Sequence, residues 1–146
     1  MMPMTAPEGF IPHFRKSPLT EPWEPLFSQR LPDRVVIGLH VRPCHCNSRG
    51  LLHGGLISAL ADNAMGLSCL AVLQTRGEAE IKSMLTVGLQ VDFLGQAKQG
   101  QWLAFDTHYV KAGRTLSFTN AFVTADGEII ARAAATFRGL SLAPPH

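Results

Sequence analysis

A single charged residue interrupts the most apolar stretch of the chain. Asp62 is the only charged side chain between Gly54 and Gln74, in a segment composed otherwise of aliphatic, small and uncharged polar residues. Because an unpaired buried carboxylate is costly, either a donor satisfies Asp62 or the side chain faces a cleft that holds water. In such a cleft a carboxylate is a candidate functional group. A structural Asp, hydrogen-bonded to neighbouring backbone, is the alternative on these grounds alone.

The sequence His53-Gly54-Gly55 stands where the helix that carries Asp62 is predicted to begin. The first turn of a helix has unpaired N–H donors and partial positive charge, and glycines leave those donors uncovered. Such a turn can stabilise a developing oxyanion. The residues alone equally allow an ordinary Gly-rich helix entry with a structural His.

Small residues recur on the same helix at intervals of three or four. They define one stripe, which predicts the close approach of a second helix, a strand edge or a ligand. The stripe consists of Gly55, Ser58, Ala59, Asp62 and Gly66.

The spacing of Gly54 and Asp62 constrains how they could act together. Eight residues correspond to about 12 Å along a helix, whereas an oxyanion donor and the attacking group must meet within roughly 3 Å of one carbonyl carbon. If both residues act on one substrate, Gly54 of one subunit must therefore face Asp62 of another, as in a two-fold dimer. Catalysis would then require a homodimer with two identical sites.

The elements that must position these residues follow from the hydrophobic pattern. A first strand is predicted at residues 34–41, a long apolar helix from about His53 to Leu73, and four strands after it. Lys111-Ala112-Gly113-Arg114 and Asp126-Gly127 supply reversals between the last three strands. Alternation places these apolar residues on one parity of each strand in turn: Leu85, Val87, Leu89, Val91 and Phe93; Leu103, Phe105 and Tyr109; Leu116, Phe118 and Phe122; Ile129, Ala131, Ala133, Ala135 and Phe137.

This order predicts an α+β fold in which an antiparallel sheet, with its strands joined by hairpins, wraps around one long central helix. Residues 1–30 are expected to form an N-terminal arm and a short helix beginning near Thr20, and residues 31–142 to form the domain.

Composition narrows the possible partners. The chain has 146 residues, 46% of them hydrophobic, and a formal net charge of +2 without a run of like charges. One domain is expected, with no nucleic-acid partner. Three cysteines and the absence of an apolar signal segment predict a cytoplasmic protein. Asp62 argues against a membrane span at residues 51–73.

The pattern N-x-x-x-x-L-H-G-G-x-x-x-x-L-x-D-x-A-x-G from Asn47 to Gly66 resembles the hotdog-fold thioesterases of the 4-hydroxybenzoyl-CoA and phenylacetate-pathway type. The resemblance extends from about Arg34 to Leu140. It implies hydrolysis of an acyl-CoA, aryl or medium-chain, with no cofactor because CoA is part of the substrate. It also implies a homodimer and, beyond it, a homotetramer.

The same resemblance implies roles for individual residues. Asp62 would be general base or nucleophile, and the Gly54 N–H would polarise the thioester carbonyl. Asn47 would position the thioester or the water, and Thr86 would help to hold the water. His53 would be structural, orienting the Gly-Gly turn.

Contacts with CoA are also implied by the resemblance. Besides His53 and Gly55 at the helix entry, Lys111, Gly113 and Arg114 match the turn that usually meets the nucleotide phosphates. Such a turn, taken alone, is usually a solvated hairpin.

Three other interpretations compete with this one. A hotdog-fold hydratase or dehydratase would usually pair the carboxylate with a His, and a non-catalytic acyl-CoA-binding module would normally be joined to a partner domain. Cys44, His45 and Cys46, with His40 nearby, could suggest a metal site, but structural zinc normally has four ligands with wider cysteine spacing, so no metal is expected.

Overall fold

The computed structural model describes residues 5–141 of the chain. Residues 1–4 of the predicted arm and residue 142 at the predicted end of the domain lie outside this range. The strands are β1 (Ile11–Pro12), β2 (Phe27–Leu31), β3 (Arg34–His40), β4 (Ser83–Phe93), β5 (Trp102–Lys111), β6 (Leu116–Ala125) and β7 (Glu128–Leu140), and the helix is α1 (Gly54–Thr75).

Within the described residues the strands form one antiparallel sheet in the order β1-β2-β3-β5-β6-β7-β4. The predicted α+β architecture, a sheet around one long helix, is confirmed. The expectation that β4 and β5 form a hairpin is wrong, because β4 pairs with β7 at the far edge and β5 pairs with β3. Residues 94–101 therefore cross from one edge region to the middle of the sheet.

Helix α1 lies against the sheet and is buried along most of its length. It contacts β3, β4, β5, β6 and β7. It is long and apolar enough to span a membrane, yet this composition is explained by its position in the core. Its fully enclosed side chains include Leu60, Ala61, Ala64, Met65, Cys69 and Leu73.

The small-residue stripe has a different environment. Ser58, Ala59, Asp62 and Gly66 are only partly buried and Gly55 is exposed. Together with Asn63 and the C-terminal end of the helix, the stripe is a part of α1 that the sheet leaves open to a further partner.

Three β-bulges change the faces that alternation predicted. In β5 the register shifts between Thr107 and Tyr109, so Leu103 and Phe105 are buried while Tyr109 is 48% exposed. In β7 the shift lies opposite Val123 and Thr124, so Ile130 is buried and Ile129 is exposed. A bulge adds one residue to one strand and so reverses the parity beyond it; placing Tyr109 and Ile129 with the core residues was therefore wrong.

The third bulge divides β4. Leu85 pairs with exposed Arg138, whereas Leu89 pairs with buried Ala135, and the register shifts between Thr86 and Gly88. Leu85 therefore lies on the outer face, while Leu89, Val91 and Phe93 lie on the helix face. The expectation of a single apolar face along all of β4 was wrong.

Large side chains in β6 also point away from the helix. Phe118 is 46% exposed, and Leu116 and Phe122 are also exposed. The residues that alternate with them are buried: Ser117, Thr119, Ala121 and Val123. The close approach of α1 favours small residues on the inner face of β6. Its large apolar side chains form an outer surface.

The N-terminal segment contains a further correction. The predicted short helix is a three-residue 3-10 turn, Glu21–Trp23, followed by β2. Pro22 and Pro25 remove N–H donors and disfavour α-conformation in the residues before them. Strands β1 and β2 therefore add to the sheet from residues predicted to be an arm and helix.

Candidate active site

Asp62 and Thr86 meet at the open side of the helix. The Thr86 hydroxyl donates a hydrogen bond to Asp62 Oδ1 at 2.6 Å, across from α1 to β4. Thr86 faces the helix because its pairing partner, Phe137, belongs to the core face. The carboxylate thus has a donor on one oxygen.

A cavity of about 540 Å³ opens beside this pair. Its wall is largely apolar and includes Leu67, Leu70, Met84 and Phe137. Asp62 and Thr86 also line it. This volume falls within the range of small-molecule sites, which combine apolar walls with a few placed polar groups.

Asn47 and Gly54 lie together in a different and smaller cavity of about 170 Å³, which also contains Arg49 and Phe93. The Asn47 Oδ1 accepts hydrogen bonds from the backbone N–H groups of Arg49 and Leu51. These bonds fix the loop before α1 and leave the Asn47 Nδ2 group to donate elsewhere.

The entry of α1 explains the His-Gly-Gly sequence. The His53 Nδ1 accepts a hydrogen bond from the Gly55 N–H at 2.8 Å, so His53 is the N-cap of the helix. A Cβ at Gly55 would lie 2.9 Å from His53 Nδ1, and one at Gly54 would lie 3.2 Å from the Phe93 ring. Both glycines therefore permit close packing at this turn.

The two N–H groups of the glycines differ in availability. The Gly55 N–H is occupied by the cap, whereas the Gly54 N–H has no protein acceptor among residues 5–141. Gly54 is therefore the donor that remains open at the positive end of the helix.

Within one chain the predicted catalytic residues form two separate groups. Asp62 and Thr86 line one cavity, while Asn47 and Gly54 line another. The helix keeps Gly54 and Asp62 about 12 Å apart. The structure thus brings Thr86 to Asp62 and does not bring Gly54 or Asn47 to Asp62 in the same subunit.

The predicted nucleotide turn lies between β5 and β6. The Gly113 N–H donates to Ser117 Oγ at 3.1 Å, and a Cβ at Gly113 would lie 2.4 Å from the Leu116 carbonyl oxygen, so the tight turn requires glycine. Arg114 forms ion pairs with Glu78 and Glu80, at 3.5 and 3.0 Å. Lys111 is exposed at the end of β5.

The Cys44-His45-Cys46 segment has a structural explanation. His45 is buried; its Nδ1 accepts from the Arg42 N–H, and its Nε2 lies 2.9 Å from the Trp23 carbonyl oxygen. Burial lowers the pKa of His45. Burial also raises the pKa of the Cys46 thiol, which opposes a nucleophilic role. Among residues 5–141, no three His, Cys, Asp or Glu side chains are grouped for metal binding.

Several residues of the two cavities were not identified from the sequence. Arg15, Ser17 and Thr20 of the N-terminal segment border the Asp62 cavity, and Asn63 follows Asp62 into it. Asn63 was detectable as a polar residue in an apolar run. Arg15 carried no such signal, because its position depends on how the segment folds back over α1.

Comparison with known proteins identifies this arrangement. Residues 49–131, more than half of the chain, match the sequence model of the Thioesterase superfamily. A Pseudomonas aeruginosa protein named as an esterase is 38% identical over 135 residues, covering 92% of this chain and 97% of that protein. The chain belongs to the thioesterase superfamily. It is a thioester hydrolase.

Two further comparisons agree with this assignment. Human acyl-coenzyme A thioesterase 13 is 35% identical to this thioesterase over 104 residues. The aligned region covers 69% of each chain. A thioesterase structure from Streptococcus pneumoniae, solved with coenzyme A, superposes with a TM-score of 0.70 at 21% identity and covers 84% of this chain and 94% of that one. The latter likeness establishes the shared fold.

The cap assigned to His53 predicts a stability effect. His53→Ala should lower the free energy of unfolding by about 1 kcal/mol, since the Gly55 N–H in the first turn would lose its acceptor. His53→Asn should cost much less, because Asn is also a good N-cap residue. Urea unfolding of the two variants measures the difference; equal losses would contradict the capping role.

Proposed function

We propose that this thioesterase hydrolyses acyl-CoA to a free acid and CoA, with Asp62 as the catalytic carboxylate. The observation that carries the proposal is the position of Asp62, held by the Thr86 hydroxyl at 2.6 Å and bordering a largely apolar cavity. The relationship to human acyl-coenzyme A thioesterase 13, and coenzyme A in the related Streptococcus pneumoniae structure, support the substrate class.

The proposed reaction uses few groups. Asp62 either removes a proton from a water that attacks the thioester carbonyl carbon or attacks that carbon itself, and Thr86 orients the carboxylate. Two donors, the Gly54 N–H and Asn47 Nδ2, stabilise the oxyanion that forms. When Asp62 acts as a base, the C–S bond then breaks and the CoA sulfur takes up the proton that Asp62 removed from the water. When Asp62 attacks directly, C–S cleavage releases CoA and leaves an acyl anhydride on Asp62, which a water then hydrolyses to the free acid. CoA enters as part of the substrate, so no separate cofactor is proposed.

Substitution of Asp62 tests this assignment. Asp62→Asn should lower kcat by roughly 10²- to 10⁴-fold, the range typical of lost acid-base catalysis, while leaving substrate affinity largely intact. Asp92→Asn is the matched control, since Asp92 pairs with Arg132 and lies outside the Asp62 cavity. Release of CoA, followed by a thiol reagent across aryl and aliphatic acyl-CoAs, is the measurement. Retained turnover in Asp62→Asn would remove Asp62 from its role.

We propose that the working enzyme is a homodimer in which Gly54 and Asn47 of one copy meet Asp62 of the other. The open stripe on α1 and the exposed inner-face residues Leu89 and Phe93 at the edge strand offer a continuous surface for a second copy. Two antiparallel helices related by a two-fold axis would bring the separated groups together twice.

Mixed dimers provide a direct test of the shared site. Asn47→Asp retains the oxygen that accepts from Arg49 and Leu51 and removes the Nδ2 donor, so the loop is kept. Each of Asn47→Asp and Asp62→Asn alone should be nearly inactive. Co-expressed as differently tagged chains, they should form a mixed dimer with one intact site and about half of the wild-type activity.

A mixed dimer in which one chain carries both substitutions and the other is wild type is the control. It would contain two sites, each lacking one group, and should be nearly inactive. Activity in this control with none in the first mixture would place the whole site in one subunit.

We also propose that the turn at Lys111, Gly113 and Arg114 contacts the CoA phosphates. Lys111 is exposed, whereas Arg114 is paired with Glu78 and Glu80 and must exchange these partners for phosphate. Gly55 and His53 act here by shaping the helix entry.

Truncated substrates test the nucleotide contact. Lys111→Ala and Arg114→Ala should raise KM for an acyl-CoA by roughly three- to tenfold, since each removes a charged contact with phosphate. KM for the matching acyl-pantetheine, which lacks the nucleotide, should stay unchanged. Equal effects on both substrates would argue against phosphate contact.

The hydratase alternative gains no support from the geometry. It would usually require a His beside the carboxylate, and no His among residues 5–141 borders the cavity that holds Asp62. The homotetramer and the cytoplasmic location stay predictions. The exposed outer-face residues of β6, Leu116, Phe118 and Phe122, offer a surface for further assembly.

A further inference from the structure

We propose that Arg15 is a specificity-determining residue that favours acyl groups ending in a carboxylate. The proposal rests on the proposed function, because it assigns the Asp62 cavity to the acyl group of the thioester. It concerns the part of the cavity lining that comes from the N-terminal segment.

The N-terminal segment closes one side of the cavity. Arg15, Ser17 and Thr20 border it together with Asp62 and the apolar residues of α1, β4 and β7. With the thioester carbonyl at Asp62, an acyl chain that enters this cavity runs along the apolar wall toward the N-terminal segment.

The segment is fixed on both sides of Arg15. Phe14 packs under the Arg30 guanidinium at 4.1 Å, and the His13 N–H donates to the Leu26 carbonyl oxygen at 2.9 Å. The Ser17 and Thr20 hydroxyls lie 3.1 Å apart and bond to each other. The backbone of Arg15 is therefore held in place at the cavity.

Arg15 itself has no hydrogen bond or ion pair within residues 5–141, unlike its neighbour Lys16. Apart from Asp62, it is the only charged residue among the described residues that border the cavity. The cavity thus has a carboxylate for the chemistry and an uncommitted cation elsewhere on its wall.

A guanidinium selects for a particular chemistry. Its planar donors match a carboxylate in a bidentate arrangement, and a single positive charge balances a single carboxylate. The Ser17 and Thr20 hydroxyls bond to each other, and Arg15 is the residue of the N-terminal segment that brings a charge to the cavity for binding the end of the acyl chain. The class of substrate it fits is the CoA half-thioester of a dicarboxylic acid.

Matched pairs of substrates test the proposal. Glutaryl-, adipoyl- and suberoyl-CoA are compared with pentanoyl-, hexanoyl- and octanoyl-CoA, so that each pair differs in the terminal carboxylate at equal chain length. The wild-type enzyme should prefer the carboxylate member, by kcat/KM, at the length that reaches Arg15. Arg15→Ala should reduce that preference about tenfold, and Arg15→Glu should reverse it.

Lys16→Ala is the control for loss of charge, because Lys16 is adjacent but does not border the cavity. It should keep the preference. The proposal is overturned if the wild type shows no preference at any length, or if Arg15→Ala and Lys16→Ala change the ratio equally.

Binding of the same six acyl-CoAs, measured by calorimetry on wild type, Arg15→Ala and Lys16→Ala, separates this proposal from the proposed function. If no acyl-CoA is hydrolysed, the proposed function fails. A carboxylate preference in binding that only Arg15→Ala removes would still support the role of Arg15, and equal affinities within every pair would reject it.

Discussion

The length of α1 between Gly54 and Asp62 is the constraint on which the proposed chemistry depends. A helix is rigid over two turns, so no side-chain rotation can bring a donor at its first residue to a carboxylate about 12 Å away. The burial of α1 against five strands removes the option of bending it. The open N–H of Gly54 and the carboxylate of Asp62 must therefore act on different substrates or be paired across two copies. The uncovered stripe of small residues favours the second arrangement.

The bulge in β4 allows two distant side chains of that strand to face α1. Thr86 must face α1 to reach Asp62, and Phe93 must face α1 to pack over Gly54. Thr86 and Phe93 are seven positions apart, an odd number, so a regular strand would place them on opposite faces. The extra residue near Val87 reverses the parity, and both side chains reach the helix. The same strand thereby supports both halves of the candidate site.

The sequence predicted the elements whose signals are local. The helix is one such case, since its apolar run and Gly-Gly entry specify both its extent and its cap, and the Asp126-Gly127 turn is another, with φ of 48° and 86°. The family resemblance predicted a place for Thr86 in the site, but not its hydrogen bond to Asp62.

The faces of Leu85, Tyr109 and Ile129 could not be predicted, because a bulge leaves no reliable mark on alternation. The pairing of β4 with β7 was also missed, since strand order depends on long-range contacts.

The N-terminal segment supplies part of the lining of the Asp62 cavity. The superfamily match covers residues 49–131, which include Gly54, Asp62, Thr86 and the turn proposed to contact the CoA phosphates, whereas Arg15 lies outside it. Arg42 donates to the Glu24 carbonyl oxygen, and His45 contacts that of Trp23, so the segment is tied to the loop that leads to Asn47. The proposed reactive groups thus lie mainly in the region that the superfamily model matches, whereas part of the cavity lining comes from a segment outside that region. If this cavity holds the acyl group, as we propose, a substitution in the segment changes the lining that the acyl group meets and leaves both partners of the Thr86–Asp62 hydrogen bond in the chain.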